Sequence, residues 1–216
     1  MSSYLSTINN NLIYFTRTNY SSLPMGMAAW YRADAGITLN GSNQVTSWSD
    51  LSGNGGSVSI TGTVGFTAAD SNINNKAAVT LATSNVNHFN YSFTSYTGTT
   101  SLYLVAKLST GGASYSAIQP STGIFPALTI DNLGYYCLNT NWTGRVTDVV
   151  ANVYQIVRIV GSVTGLNGMQ INGGGSTAVW AEIIHYNKSL TTLENSTVIN
   201  YLQDKYAIST ANTKLH

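Results

Sequence analysis

From residue 26 onward, short runs of apolar and β-branched residues alternate with clusters of glycine, asparagine and serine. Pairs such as Asn40-Gly41 and Gly111-Gly112 supply the positive φ angles that tight hairpins require. Strand-length runs separated by turn residues are typical of an all-β sandwich or barrel. The pattern predicts strands at 27–32, 45–49, 77–82, 88–93, 101–108, 124–130, 134–139, 153–160, 168–172 and 178–186.

Two of these predicted strands, 101–108 and 153–160, carry apolar residues on both faces. A strand that is covered on one side only alternates apolar and polar positions, whereas a strand covered on both sides reads as a nearly continuous apolar run. We therefore expect these two strands to lie at the centre of an antiparallel β-sandwich, with other layers packed against each face.

One helix is predicted near the C-terminus. Thr191 and Glu194 have the spacing of a capping box, in which the Thr191 hydroxyl accepts the Glu194 amide proton and the Glu194 carboxylate reaches back. Val198, Ile199, Leu202 and Tyr206 follow as an apolar stripe. We expect this helix to cover an edge or an end of the sandwich, and the polar tail, 209–216, to be frayed.

Residues 1–24 differ from the rest of the chain. Their apolar residues fall at helical spacing, but residues 12–20 are also rich in the aromatic and β-branched residues of an extended arm, so both conformations remain open. We interpret 1–24 as an anchoring or assembly segment that ends at Pro24, 25–208 as a single domain and 209–216 as a polar tail. A length of 216 residues suits one such domain.

Charged residues make up only 8% of the chain, against about 25% in average proteins. Serine, threonine, asparagine and glycine replace them, as is common on external surfaces, including those of virus particles. The nine Lys and Arg residues are scattered, which argues against nucleic-acid binding. No apolar run of about 18 residues predicts a membrane span. The single cysteine, Cys137, excludes an intrachain disulfide.

The N-terminus lacks the basic start and apolar stretch of a secretion signal. We expect either that the protein leaves its cell by lysis, as virus proteins do, or that a signal has been removed. The expected location is a virion or another extracellular surface.

Four segments carry a resemblance to a known family. Residues 28–37 read AAWYRADAGI, residues 45–55 read VTSWSDLSGNG, residues 181–190 read AEIIHYNKSL, and the helix contains YLQDKY at 201–206. The chain resembles the concanavalin A-like lectin/glucanase superfamily, specifically the laminin-G-like jelly rolls of bacterial surface proteins and phage or virus structural proteins. These motifs bracket residues 26–208, residues 102–107 resemble the family's central strand, and residues 110–175 match only in pattern.

The resemblance implies an all-β, antiparallel jelly roll with one C-terminal helix, and it marks six motif residues: Trp30, Arg32, Asp34, Trp48, Asp50 and Glu182. We interpret all six as scaffold. The two indoles suit the gap between sheets and each needs one N–H partner. Arg32 and Asp34 share a face if their strand continues, Asp50 can hold a turn, and Glu182 is a structural carboxylate.

Catalysis is not predicted. Glucanases of the superfamily carry an E-x-D-x-x-E strand, but the eight acidic residues of this chain include no two within three positions of each other. His88, His185 and His216 lack metal-ligand spacing. Folding can still bring two carboxylates together from distant positions, so a glycoside hydrolase remains as the least favoured hypothesis.

No metal or other cofactor is predicted. Calcium is the alternative considered, because relatives bind it in loops at one rim and because Asp131-Asn132 and Asp70-Ser71-Asn72 could contribute oxygen ligands. Calcium needs six to eight oxygens, several of them charged, so the scarcity of carboxylates argues for a weak site or none.

Sugar binding is the main functional possibility, because lectin sites pair an aromatic ring that stacks on a pyranose with amides that bind its hydroxyls. Two stretches offer this combination, and the alternative for both is packing or assembly. The first consists of Tyr135, Tyr136, Asn139, Asn141 and Trp142, and the second of Asn87, His88, Asn90 and Tyr91.

Three functions compete. The favoured one is a non-catalytic virion surface protein, such as a capsid decoration, fibre or receptor-binding component, that forms a homo-oligomer, binds other virion proteins through residues 1–24 and recognises host glycans. The alternative is a carbohydrate-binding module of a secreted bacterial protein. The third is the glycan-cleaving enzyme.

Overall fold

The computed structural model describes residues 4–8, 11–15, 23–54, 56, 58–82, 87–109, 115–120, 128–130, 136–137, 145–146, 150–172 and 177–215. These residues form β-strands, one α-helix and two short 3-10 helices, at Ser71–Ile73 and Thr210–Asn212. The strands and helix are β1 (Tyr4–Ile8), β2 (Asn11–Phe15), β3 (Met27–Arg32), β4 (Ile37–Leu39), β5 (Val45–Trp48), β6 (Val58–Thr61), β7 (Val64–Asp70), β8 (Lys76–Leu81), β9 (His88–Leu108), β10 (Tyr115–Pro120), β11 (Leu128–Ile130), β12 (Tyr136–Cys137), β13 (Arg145–Val146), β14 (Tyr154–Asn172), β15 (Ala178–Tyr186), α1 (Thr192–Tyr206) and β16 (Thr213–Leu215).

Two long antiparallel strands, β9 and β14, pair with each other from one end to the other and join the two layers of the sandwich. Tyr91 and Leu102 lie far apart along β9, yet the Tyr91 ring contacts His185, which pairs with Leu102. The strand must therefore fold over between them. One layer, sheet I, has the order β7-β8-β15-β9-β14-β16, with β3 also paired to β15; the other, sheet II, has the order β6-β9-β14-β10-β11-β12-β13.

The core between the sheets is aromatic at its centre. The ring centroid of Tyr31 lies 5.8 Å from that of Trp48 and 5.2 Å from that of Tyr91, and Trp48 lies 5.1 Å from Phe89. Tilted and edge-to-face pairs at such distances add about 0.5–1.5 kcal/mol each to the effect of burial. Apolar residues from both sheets surround these rings, among them Leu104, Val157, Met169, Ile171 and Ile183.

A second core lies on the opposite face of sheet I, beneath α1. Val198, Leu202 and Tyr206 of the helix are buried against Val105, Ile156 and Ile184 of the sheet. The prediction that 101–108 and 153–160 are covered on both faces is confirmed. The expected position of the helix at an edge or an end is wrong, because its apolar stripe packs across the outer face of the sheet.

The predicted capping box at the start of α1 is confirmed. Glu194 N donates to Thr191 Oγ1 at 3.3 Å, and Thr191 N donates to Glu194 Oε2 at 2.8 Å. The carboxylate also accepts a hydrogen bond from Lys188 Nζ, and this bond, followed by those from Thr191, lowers the pKa of Glu194 to about 2. The cap therefore keeps its charge in all but strongly acidic solution.

Replacing Thr191 with alanine is expected to lower the free energy of unfolding by about 1 kcal/mol, because the Glu194 amide loses its acceptor at the helix start. Thermal or urea unfolding monitored by circular dichroism measures the change. Thr192→Ala, one position inside the helix, is the matched control and should change stability by less than half as much. Equal effects of the two substitutions would remove the capping explanation.

The two chain ends differ from the sequence-based expectations. Near the N-terminus, β1 and β2 pair antiparallel, with Tyr4 opposite Phe15, so the helical alternative is wrong there. Near the C-terminus, β16 pairs in parallel with β14, placing Thr213 opposite Ile156. A frayed tail is therefore also wrong, since its backbone extends sheet I. Across the described part of the chain, no helix has the length and apolar character needed to span a bilayer.

Candidate functional site

Of the two predicted sugar-binding stretches, the first has only Tyr136 within the described part of the chain, whereas all four residues of the second are described. Tyr136 is in β12, where its backbone pairs with Ile130 and Val146. His88 begins β9 and pairs with Thr61 on one side and Asn172 on the other. Tyr135, Asn139, Asn141 and Trp142 lie outside the described residues, so their role stays a prediction.

The second predicted cluster is divided by the fold. Asn87 is buried, accepts the Thr63 amide proton at 2.9 Å and donates to the Ala82 carbonyl at 3.3 Å, so its side chain is occupied by backbone groups. Tyr91 is buried in the core between the sheets. His88 and Asn90 are half-buried and alternate with the buried residues Phe89 and Tyr91, so they face away from the core.

The outer surface of sheet II around His88 and Asn90 is polar and uncharged. Asn90 lies between Ser59 on β6 and Gln170 on β14, which makes a row of amide and hydroxyl side chains across three strands. We call this surface the polar face and define it by its described members: Ser59, Thr61, His88, Asn90, Ser92 and Gln170. Amides, hydroxyls and an imidazole both donate and accept hydrogen bonds.

The motif residue Glu182 is the centre of a buried hydrogen-bond network on the other side of the molecule. Trp30 Nε1 donates to one carboxylate oxygen at 2.7 Å, and Tyr206 donates to the other at 2.7 Å. Tyr201 also donates to Glu182, at 3.0 Å. These donors satisfy a carboxylate whose side chain is fully buried.

Lys205 supplies the positive charge that this network needs. Its Nζ lies 2.6 Å from Glu182 and 3.2 Å from Asp34, and its side chain is only 10% exposed. Arg32 binds Asp34 through two hydrogen bonds, of 3.0 and 3.1 Å. Burial opposes the charge of Asp34, but Arg32 and Lys205 outweigh it and hold the pKa of that carboxyl below its ordinary value.

The chain positions this network through a bulge in β15. The pairing of β15 with β9 shifts between Trp180 and Glu182, and such a shift reorients the side chains that follow. Glu182 consequently points towards α1, where Tyr201 and Lys205 lie four residues apart on one helix face. Sequence reasoning missed Tyr201, Lys205 and Tyr206 as members of this site, although the helical spacing of Tyr201 and Lys205 was a visible signal.

Asp34 and Glu182 are the two acids that meet across this network, and their surroundings do not suit glycoside cleavage. A general acid or nucleophile must reach the scissile bond. Glu182 is buried beneath Trp30 and two tyrosines, and Lys205 separates it from Asp34. The arrangement is an internal ion-pair network that ties β3 and α1 to β15.

Two other motif residues hold the strands that lead into the network. Asp50 accepts the backbone N–H of Trp30 at 2.8 Å and that of Ser52 at 3.0 Å. Trp48 donates its indole N–H to the Arg32 carbonyl at 2.9 Å. Both contacts join β5 and the residues that follow it to the second half of β3, and so fix these two parts of the chain relative to each other.

Asp70, one of the residues considered for calcium, is occupied by protein donors. Its carboxylate accepts hydrogen bonds from the Asn72 backbone and side chain at 2.9 and 2.8 Å, and from the Tyr154 hydroxyl at 2.9 Å. Burial would raise the pKa of Asp70, but these bonds and nearby Lys107 hold the pKa below its ordinary value. Asp131 and Asn132 lie outside the described residues.

The sequence matches no protein-family profile. It also matches no curated protein. Solved structures do match in fold. The binding domain of botulinum neurotoxin DC in complex with SialylT superposes with a TM-score of 0.58 at 10% identity, covering 82% of this chain and 52% of that one.

Two further structures give the same result. The receptor-binding domain of the botulinum neurotoxin C/D mosaic serotype has a TM-score of 0.56 at 12% identity, covering 82% of this chain and 51% of that one. Botulinum neurotoxin type C, whose uptake into cells depends on interaction with two ganglioside molecules, has a TM-score of 0.54 at 12% identity, with 82% and 51% covered. The chain thus spans about half the length of these structures and shares their lectin-like β-rich fold.

Proposed function

We propose that the chain is a non-catalytic recognition domain that binds glycans through the polar face of sheet II. The observation that carries the proposal is the row of Ser59, Asn90 and Gln170 beside His88, which offers hydrogen-bonding groups without a net charge. A sugar presents closely spaced hydroxyl groups, and paired amides and hydroxyls bind them with both donors and acceptors. The pairing of β6, β9 and β14 holds these groups on a common scaffold.

Aromatic residues for stacking would come from the neighbouring part of sheet II. Tyr136 lies in β12 of that sheet, and residues 138–144, which include Trp142, connect β12 with β13. In this proposal Trp142 provides the ring that stacks on a pyranose, with Asn139 and Asn141 beside it. Recognition domains of neurotoxins that interact with gangliosides share the fold, which supports a glycan ligand for this chain.

We further propose a place for the chain within the concanavalin A-like superfamily, as a virion or extracellular surface protein. The motifs at both ends of the domain and the low charge of 8% support this assignment. Residues 1–24, which include β1 and β2, would attach the domain to a second protein or to further copies of itself. Recovery of the protein in purified virus particles, and its loss from them on deletion of residues 1–24, is the expected result; absence from particles would contradict it.

A glycan array probed with the purified chain is expected to show binding to at least one glycan. His88→Ala, Asn90→Ala and Trp142→Ala should each weaken that binding about tenfold or more, because each removes a contact worth about 1–3 kcal/mol. Thr67→Ala is the matched control, since Thr67 is an exposed polar residue on β7 of the other sheet. Affinity for the best glycan is then measured by calorimetry for each folded variant.

Two results would contradict the proposal. The first is the failure of the chain to bind any glycan of a broad array. The second is binding that survives all three substitutions, since the polar face would then not be the site. The glycan is analysed after incubation with the chain to detect cleavage. Release of a cleaved glycan would instead support the glycoside hydrolase hypothesis.

A further inference from the structure

A concave site lies on the side of sheet I that α1 covers, whereas the polar face is the outer surface of sheet II. The concave site is a cavity of about 340 Å³, at the lower end of the range of about 300–1,000 Å³ that is usual for ligand sites. Four elements meet around it: the turn after β7, the end of β9, the start of β14 and the segment that follows α1. The lining residues are Asn72, Lys107, Asn152, Val153, Tyr154, Ala207, Ile208, Ser209 and Asn212.

The lining is rich in groups that recognise hydroxyls. Asn72, Asn152 and Asn212 bring three side-chain amides, and Ser209 brings a hydroxyl. Tyr154 and Ile208 are buried beneath them and give the cavity an apolar base. A ligand with apolar carbon faces and several hydroxyls at its edge has the matching distribution of groups.

The electrostatics of the cavity favour a neutral ligand. Lys107 Nζ lies 4.8 Å from the Tyr154 ring centroid and 4.0 Å from Asp70 Oδ2, so its charge is partly compensated within the protein. The remaining positive charge disfavours a metal cation. An anion is disfavoured because Ala207 and Ile208 follow the C-terminal end of α1, where the helix dipole is negative.

We propose that this cavity binds one neutral monosaccharide unit, a hexose or an N-acetylhexosamine, with an apolar face of its ring towards Ile208 and its hydroxyls towards the amides of the lining. The site is separate from the polar face, because Tyr154 and Ile208 belong to the core between sheet I and α1, whereas the polar face is the outer surface of sheet II. A chain that binds sugar on both faces of the sandwich can cross-link glycans or hold a branched one at two points. This inference does not depend on the function proposed for the polar face.

The test is NMR titration of the ¹⁵N-labelled full chain with single free sugars: glucose, galactose, mannose, N-acetylglucosamine and N-acetylneuraminic acid. Saturable shifts of the Asn152, Tyr154, Ser209 and Asn212 amide signals are expected with at least one neutral sugar. Asn212→Ala and Lys107→Met should each weaken this binding about tenfold. Lys107→Met keeps the apolar stem against Tyr154, so that a folded variant is expected.

His88→Ala and Lys188→Met are the controls and should leave the binding at the cavity unchanged. The proposal is overturned if no neutral sugar shifts the cavity signals, if both cavity variants bind as tightly as the original chain, or if only N-acetylneuraminic acid binds. Shifts confined to His88 and Asn90 would also overturn it while supporting the polar face. Shifts confined to the cavity would support it while contradicting the polar face.

Discussion

Replacing Lys205 with methionine is expected to lower the free energy of unfolding by about 3–5 kcal/mol, the largest effect that the structure indicates for a single surface-proximal residue. The substitution keeps most of the side-chain volume but removes the ammonium group that lies 2.6 Å from Glu182. The fully buried carboxylate would then lack the cation that compensates its charge, and an uncompensated buried charge is costly. Urea unfolding at neutral pH measures the loss.

Two further variants separate charge from packing. Adding Glu182→Gln to Lys205→Met removes the uncompensated charge and should restore part of the lost stability, because an amide costs less to bury than a carboxylate. Lys188→Met is the matched control, since Lys188 pairs with Glu194 at the surface and such pairs contribute about 1 kcal/mol or less. Equal losses for Lys188→Met and Lys205→Met would contradict a central role for the network.

The stability of the fold is also expected to fall as the pH drops from about 6.5, because of His185. Its imidazole is fully buried, and burial lowers its pKa to about 3. Thr100 donates to the Tyr186 carbonyl at 2.6 Å and so accepts from His185 Nε2 at 2.7 Å, while Tyr91 lies 3.3 Å from Nδ1. These contacts suit the neutral ring.

The direction of this pH dependence follows from the pKa values of His185 in the unfolded and in the folded chain. An unfolded histidine has a pKa of about 6.5, so between this value and about 3 the unfolded chain binds a proton that the folded chain does not. The stabilisation is complete above about pH 6.5 and decreases as the pH falls, by at most about 1.4 kcal/mol per pH unit. Urea unfolding at several values between about pH 6.5 and 5.5 measures the slope, above most of the range in which ordinary carboxylates titrate.

His185→Gln should be less stable than the original chain at neutral pH but should show a flatter dependence on pH. His88→Gln is the control, because His88 is half-buried on the outer surface and its substitution should leave the slope unchanged. A slope that persists undiminished in His185→Gln would contradict the assignment to this residue.

The all-β class and the strands at the two ends of the domain could be predicted because their local patterns are strong. Residues 27–32 and 178–186 were predicted as strands and are β3 and β15. The prediction of two separate strands, at 88–93 and 101–108, is wrong, because both belong to one continuous strand, β9. The intervening residues are polar and lack alternation because the strand folds from one sheet to the other there, with Gly98 at a φ of 147°.

The site near Glu182 could be predicted only in part. The motif identified Trp30, Arg32, Asp34 and Glu182, but the partners on α1 depend on the bulge in β15 and on the packing of the helix across sheet I. Neither is a local property of the sequence. The polar sequence of β16 predicts a frayed tail. The segment is a strand because it pairs with β14, which lies far away in the chain, and this pairing is not visible in the local sequence.

Glycan recognition by the polar face is tested most directly by following the amide signals of the ¹⁵N-labelled chain while the best glycan from an array is added. Saturable shifts centred on His88, Asn90 and Gln170, with the glycan recovered intact, are the predicted result. A spectrum that stays unchanged with every glycan offered, or a glycan recovered in pieces, would contradict a domain built to bind sugars without cleaving them.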